Sequence, residues 1–226
     1  MPLRAICFDL DGLLADTEPH YFEAHRSILA EHGVTISTEE YTRRWIIEGT
    51  HWADEAARYG IDIPAAELSA ESRRRFRALV DRNLGPMPGA LEVLRRAAAR
   101  GPTALVTNTH HEDAERVVER LGFRPFLVHL VTRERYERAK PEPDGYLAAA
   151  AVLGAAPADC LALEDSPRGM RAALAAGLPC VLVLNDLTRL GGREAVAARG
   201  GGRGPLQVLD SLADLDLEGI AAGWLG

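Results

Sequence analysis

Asp9-Leu10-Asp11-Gly12-Leu13-Leu14-Ala15-Asp16-Thr17 follows directly on the apolar run Leu3 to Phe8, and its reading decides the fold. Leu3, Ala5, Ile6, Cys7 and Phe8 predict a short buried strand of the kind found at the centre of a parallel sheet. Asp9 then stands at the carboxyl end of that strand. Open α/β sheets bind ligands at this edge, and Gly12 lets the backbone turn sharply and come close to what is bound. Taken alone, Asp-x-Asp-Gly reads equally as a surface turn. Two acids one residue apart can also point differently, one toward a metal and a substrate and the other toward a leaving group. Residues further along the chain decide between these readings.

At 226 residues the chain can form one large domain, or one domain carrying a smaller insertion. A net charge of −7 argues against a nucleic-acid partner, and the local cluster Arg73, Arg74, Arg75 and Arg77 is expected to be a solvated helix face. Cys7, Cys160 and Cys180 are odd in number, scattered, and each set in an apolar run, which predicts reduced core thiols and a cytoplasmic protein. The start shows no charged-then-apolar leader, and no stretch approaches the ~18 apolar residues of a membrane span, so no membrane partner is expected. Monomer is the default expectation for the oligomeric state.

Beyond Thr17 the pattern becomes helical, with Tyr21, Ala24 and Ile28 on one face and Gly33 closing the helix. To about Pro86 the chain is charged and lacks a strand-like run, while Phe76, Leu79 and Val80 mark another amphipathic helix. Pro86 and Pro88-Gly89 punctuate the chain, and apolar runs then alternate with helical patterns. Strands are predicted at Thr103 to Val106, Phe126 to Val131, Cys160 to Leu163, Cys180 to Leu184 and Gln207 to Leu209. Striped helices end at Gly101, Gly122, Gly154 and Gly177, and a last one starts at Ser211 after a glycine-rich loop at Gly191-Gly192 and Gly200 to Pro205. This alternation is the signature of βαβ units and an α/β fold with a parallel sheet. Residues 1–15 and 88–226 therefore form the core, and 16–87 a helical insertion whose junctions make a hinge beside Asp9, as a lid requires.

Later strands also deliver polar groups at their carboxyl ends. Thr107-Asn108-Thr109 offers hydroxyl and amide groups for anionic oxygens, Lys140-Pro141-Glu142-Pro143-Asp144 brings a cation, and Glu164-Asp165-Ser166 brings two acids. Asp9, a backbone carbonyl near Asp11, and Asp165 would make an oxygen-only site for a hard cation, with Mg2+ expected. A lysine and such a cation facing one point imply a phosphate.

Asp9-Leu10-Asp11-Gly12, Thr107-Asn108, Lys140-Pro141-Glu142-Pro143-Asp144 and Glu164-Asp165-Ser166-Pro167-Arg168-Gly169 resemble the four motifs of the haloacid dehalogenase superfamily, in its β-phosphoglucomutase and phosphoglycolate-phosphatase-like branch. The resemblance covers nearly the whole chain, including Asp16-Thr17-Glu18 on leaving the core and Pro88-Gly89 on re-entering it. It implies a Rossmann-like parallel-sheet core with a helical cap inserted after the first strand. It further implies that Asp9 is a nucleophile forming an aspartyl-phosphate, and that Asp11 is acid and base with its carbonyl on Mg2+. By the same resemblance Thr107 binds phosphoryl oxygens, Lys140 neutralises charge, Asp165 ligates the metal, and Glu164 is either a ligand or an outer partner.

Asp11 favours phosphate chemistry, because the dehalogenating members lack an acid there. The glucose-phosphate mutases of the family carry a cap His and a cap-loop Arg. Here the His position falls on Tyr21 with His20 adjacent, and Gly49-Thr50-His51-Trp52 has no Arg. The expectation is a phosphatase acting on a small phosphorylated metabolite, with a sugar-phosphate mutase as the alternative and a non-catalytic phosphometabolite-binding module behind it. Gly12, Asn108, His20, His51 and Trp52 are the expected phosphate or substrate contacts. Ala139 stands where the family has Gly before the Lys, with no functional consequence expected.

Overall fold

Strand β1 (Ala5–Phe8) lies inside a six-stranded sheet in which every pairing is parallel. The computed structural model describes residues 3–190 and 204–223, so the expected loop at Gly191-Gly192 and Gly200 to Pro205 lies almost wholly outside the described residues. The strand order is β3 (His129–Val131), β2 (Thr103–Val106), β1, β4 (Cys160–Glu164), β5 (Cys180–Val183), β6 (Gln207–Leu209). From β1 the chain proceeds to β2 on one side, and the later strands build from β4 on the other. The crevice beyond the carboxyl ends of β1 and β4 is thus the point where the order reverses, where such sheets bind ligands.

The period-2 alternation of the strands sorts large from small side chains. Ile6, Phe8, Leu105, Leu161, Leu163 and Val181 face helices α5 (Ala90–Arg100) and α6 (His111–Arg120). Ala5, Cys7, Ala104, Cys160, Ala162 and Cys180 face α7 (Asp144–Val152) and α8 (Pro167–Ala175), whose Ala149, Ala150, Ala172 and Ala173 are equally small. Small residues on both surfaces let this helix layer lie close to the sheet. All three cysteines are buried and unpaired. No helix of the described residues is long and apolar enough to cross a membrane.

Between β1 and α5 the chain forms α1 (Glu18–Glu31), α2 (Thr38–Tyr41) continuing into a wide, π-type helical stretch Thr42–Glu48, then α3 (Trp52–Tyr59) and α4 (Ala65–Val80). These elements share a core of their own that includes Ile28, Leu29, Tyr41, Trp52 and Leu68. The two connecting segments run side by side: Asp16 N donates to Gly85 O at 3.0 Å and Met87 N to Leu14 O at 2.9 Å.

Three local expectations need correction. The strand expected from Phe126 begins only at His129, because Pro125 opens a tight turn over Arg124–Phe126 and has no N–H to give a ladder. Ser211 caps a short turn, Leu212–Asp214, and the last helix of the described residues is Leu217–Gly223. The arginine cluster is not one solvated face. Arg74 and Arg75 pair with Glu71 and Glu31, but Arg73 and Arg77, one turn apart, point at Asp113 on α6.

Candidate active site

Asp9 is the first residue past β1, its N–H bonded to Leu163 O at 3.0 Å, and it is buried. The Lys140 ammonium meets three acceptors with its three N–H groups: Asp9 Oδ1 at 2.5 Å, Glu164 Oε1 at 2.5 Å and Val106 O at 2.7 Å. Burial works against that charge, but the Asp9 and Glu164 carboxylates outweigh it and hold the ammonium above its ordinary range. Tyr146 also donates to Glu164 Oε1 at 2.6 Å, while Glu164 Oε2 is buried without a partner. Gly169 is required beside it, since a Cβ there would fall 1.9 Å from that carboxylate.

Asp11 is held by three hydroxyls. Thr17 donates to Oδ1 at 2.8 Å, and Thr109 and Thr107 donate to Oδ2 at 2.6 and 3.1 Å. Burial raises its pKa, and the hydroxyl bonds from Thr109, Thr17 and Thr107 offset part of that rise. A carboxyl so placed can carry a proton nearer to neutral pH than an ordinary aspartate.

Asp165 follows β4, and Asn185, at the end of β5, donates its amide to Asp165 Oδ2 at 2.8 Å and to Gly12 O at 3.1 Å. Oxygens of Asp9, Glu164 and Asp165 lie within 4.8 Å of one another. Burial, then mutual repulsion, pushes the Asp165 carboxyl well above the usual range, and burial leads the rise at Asp9 as well. Three buried carboxylates against one ammonium, offering only oxygen donors, fit a hard divalent cation.

A cavity of about 570 Å³ opens over these groups, within the range of small-molecule sites. Its floor is Asp9, Asp11, Thr107, Asn108, Lys140 and Asp165, and its roof comes from the inserted helices, including Glu18, Tyr21, Trp45, His51 and Trp52. Trp45 and Trp52 pack with His25, whose ring burial drives to a pKa of about 3, so it is neutral.

Of the expected contacts, Asn108, His51 and Trp52 line the cavity, while His20 and Gly12 do not. The His20 ring is bonded to the carbonyls of Asp16 and Asn83, so it ties the two connecting segments together. Gly12, at φ 78°, instead lets the loop pass close to Asn185 and Asp165: a Cβ would meet Asn185 Nδ2 and Asp165 Oδ2 at 2.5 Å. Asn108 uses its side-chain oxygen to accept from Lys140 N at 3.0 Å, which steadies the lysine's loop, and the Thr107 hydroxyl is engaged with Asp11.

Sequence reasoning missed three contributors, and it placed the Thr109 hydroxyl at a strand end without its partners. Asn185 obeys the same strand-end rule as the others, one strand further on. Thr109 joins Asp11 to the Tyr21 hydroxyl of α1 at 3.1 Å, a pairing across 88 residues. Arg168 bridges Trp45 O at 3.1 Å and Lys140 O at 3.3 Å, filling the space a Gly49 side chain would need.

Glu18 is the third. It accepts from the Tyr41 hydroxyl at 3.2 Å, and burial followed by the Asp11 charge raises it to about 7. A carboxyl with a raised folded pKa keeps its proton in the folded state, so its folded-state cost grows as pH climbs from about 4.5 to about 7. Glu18→Gln is therefore expected to raise stability at pH 8, by on the order of 1–3 kcal/mol, and to leave it unchanged at pH 4. Urea unfolding of metal-free protein at the two pH values measures this; an equal effect at both would contradict it.

A parallel sheet with acids and a lysine converging at the reversal of strand order, under a helical roof, defines an α/β protein with a ligand site at its switch point. The chain belongs to the haloacid dehalogenase-like hydrolases, whose family model matches residues 3–177. It is 32% identical over 186 residues to hexitol phosphatase A of Escherichia coli, covering 81% of this chain and 84% of that one. It is also 32% identical over 202 residues to validoxylamine A 7'-phosphate phosphatase of Streptomyces hygroscopicus, covering 86% and 90%. The crystal structure of CbbY from Rhodobacter sphaeroides in complex with phosphate superposes with a TM-score of 0.81 at 29% identity, over 97% of this chain and 99% of that chain. The expectation of a phosphatase in this superfamily, drawn from the four motifs, stands.

Proposed function

We propose that this phosphatase hydrolyses a sugar or polyol phosphate through an aspartyl-phosphate on Asp9, with Mg2+ as its cation. The observation that carries this reading is the Lys140 ammonium held between Asp9 and Glu164 at the cavity floor, with Asp11 alongside. Mg2+, held by Asp9, Asp165 and the Asp11 carbonyl, would supply positive charge for the phosphoryl oxygens.

Lys140 fixes one Asp9 oxygen and leaves the other to attack phosphorus, forming the oxygen–phosphorus bond of an acyl phosphate as the bond to the leaving alcohol breaks. Asp11 gives its proton to that departing oxygen. It then takes a proton from the water whose oxygen attacks phosphorus and displaces Asp9, which releases phosphate and restores the Asp9 carboxylate and the protonated Asp11. Residues 16–87 act as a cap that excludes bulk water, and His51 and Trp52 meet the alcohol portion of the substrate. Relatives named for hexitol and validoxylamine phosphates support a hydroxylated leaving group. The engagement of His20 with the Asp16 and Asn83 carbonyls supports phosphatase over mutase.

Phosphate release from a panel of phosphorylated sugars and polyols, plus p-nitrophenyl phosphate, tests the reading. Turnover that vanishes with EDTA and returns with Mg2+ is expected. Absence of turnover on every phosphoester with Mg2+ present would overturn it.

A further inference from the structure

The seam between the inserted helices and the core carries a charge ladder that the phosphoryl chemistry does not use. On and just past α4, Arg73, Arg77 and Asp81 recur every four residues and so share one face. On α6, Glu112 and Asp113 are followed one and two turns later by Arg116 and Arg120. Opposite signs meet along the whole seam. Arg73 Nε donates to Asp113 Oδ2 at 2.7 Å, Arg77 Nε donates to Asp113 Oδ1, and Arg77 Nη2 donates to Glu112 at 2.7 Å. The polarity then reverses. Arg116 Nη1 donates to Asp81 Oδ1 and Oδ2 at 2.9 and 3.1 Å, and Arg120 Nη2 to the Asp81 carbonyl at 2.6 Å.

Two features set this apart from scattered surface pairs. Asp113 is 2% exposed and shared by two guanidiniums, and a carboxylate stripped of water to that degree is tolerated only with such partners. The reversal of sign also fixes the register, since a slide of α4 by one turn would bring Arg77 against Arg116. Arg73 and Asp113 in addition line the substrate cavity, so the ladder and the cavity share a wall.

We propose that this ladder is the latch that holds the cap closed, with Asp113 positioning α4 over the phosphoryl site, and that its rupture is the opening step. Substrate is bound productively only under a closed cap, so weakening the latch lowers the competent fraction and raises KM in proportion. Its outer pairs are exposed, so added salt weakens it.

The experiment uses the full chain with Asp81→Arg, Arg116→Asp and the double exchange, neither position lining the cavity. Asp81→Arg sets a cation against Arg116 and Arg120. With p-nitrophenyl phosphate and Mg2+ it is expected to raise KM about three- to tenfold with kcat unchanged or higher. Relative to wild type its KM should fall as salt rises, because salt now screens a repulsion. The double exchange should return KM and its salt response toward wild type. A wild-type KM and salt response in Asp81→Arg, or a double exchange no better than the single variants, overturns the latch.

Because the kinetic arm rests on the phosphatase reading, hydrogen exchange at the amides of residues 14–17, Gly85 and Met87 measures closure without turnover. Faster exchange in Asp81→Arg, reversed in the double exchange, supports the latch even if no phosphoester is cleaved; identical exchange in all forms overturns it.

Discussion

Asp9→Asn is expected to remove turnover by on the order of a thousandfold or more while leaving the protein folded. The amide has nearly the volume of the carboxyl, keeps an oxygen for the Lys140 ammonium, and leaves Glu164 as that ammonium's charged partner. It cannot attack phosphorus as an anion. Burial raises the Asp9 pKa, so the wild-type carboxylate costs the metal-free fold progressively more as pH rises above its ordinary titration range. The variant should therefore be at least as stable as wild type at pH 8 without metal. Phosphate release and urea unfolding on the same preparations check both halves; full activity in the variant would remove Asp9 from the chemistry.

Lys140→Met is the second large effect, and it falls on stability as well as rate. The substitution takes the only ammonium from between Asp9 and Glu164 and leaves three carboxylates facing one another in a buried site. Stripping one partner from a buried ion pair costs about 3–5 kcal/mol, a large part of a typical domain's 5–15 kcal/mol, each figure an order of magnitude. The sign of the pH dependence follows from the unpaired acids. Burial holds Asp9 and Asp165 above the usual carboxylate range, so they bind protons in the folded state at a pH where the unfolded chain has lost them, and the stability deficit should shrink from pH 8 to pH 5. Urea unfolding of metal-free variant and wild type at the two pH values measures this. A deficit that is the same at both would mean that lost packing against Tyr146, 5.1 Å from the ammonium, outweighs lost charge.

The strand ends were legible in the sequence because the rule that places them is local. A short apolar run ends in a polar residue, and a parallel sheet brings such ends together whatever lies between them. Asp9, Thr107, Lys140 and Asp165 were found in that way, and likeness to the four motifs added the role of each. The same rule reaches Asn185 at β5, but an asparagine opening a helix reads first as a cap, which it also is. Tyr21–Thr109, Arg168–Trp45 and the Arg73–Asp113 ladder join residues far apart in sequence across the seam. Helical periodicity gives the face of each partner, not the surface that face will meet. The arginine cluster shows the limit: four basic residues in five positions suggested solvent, and only packing separated Arg73 and Arg77, which meet α6, and Arg75, which reaches Glu31 on α1, from the exposed Arg74.

The central claim is covalent, that the phosphoryl group rests on Asp9 during turnover. Acid quenching of the protein during steady turnover of p-nitrophenyl phosphate with Mg2+, followed by peptide mass analysis, tests it directly. The predicted result is one added phosphoryl mass on the peptide containing Asp9, absent from Asp9→Asn. Turnover at full rate with no phosphorylated peptide, or with the label on another residue, would contradict it.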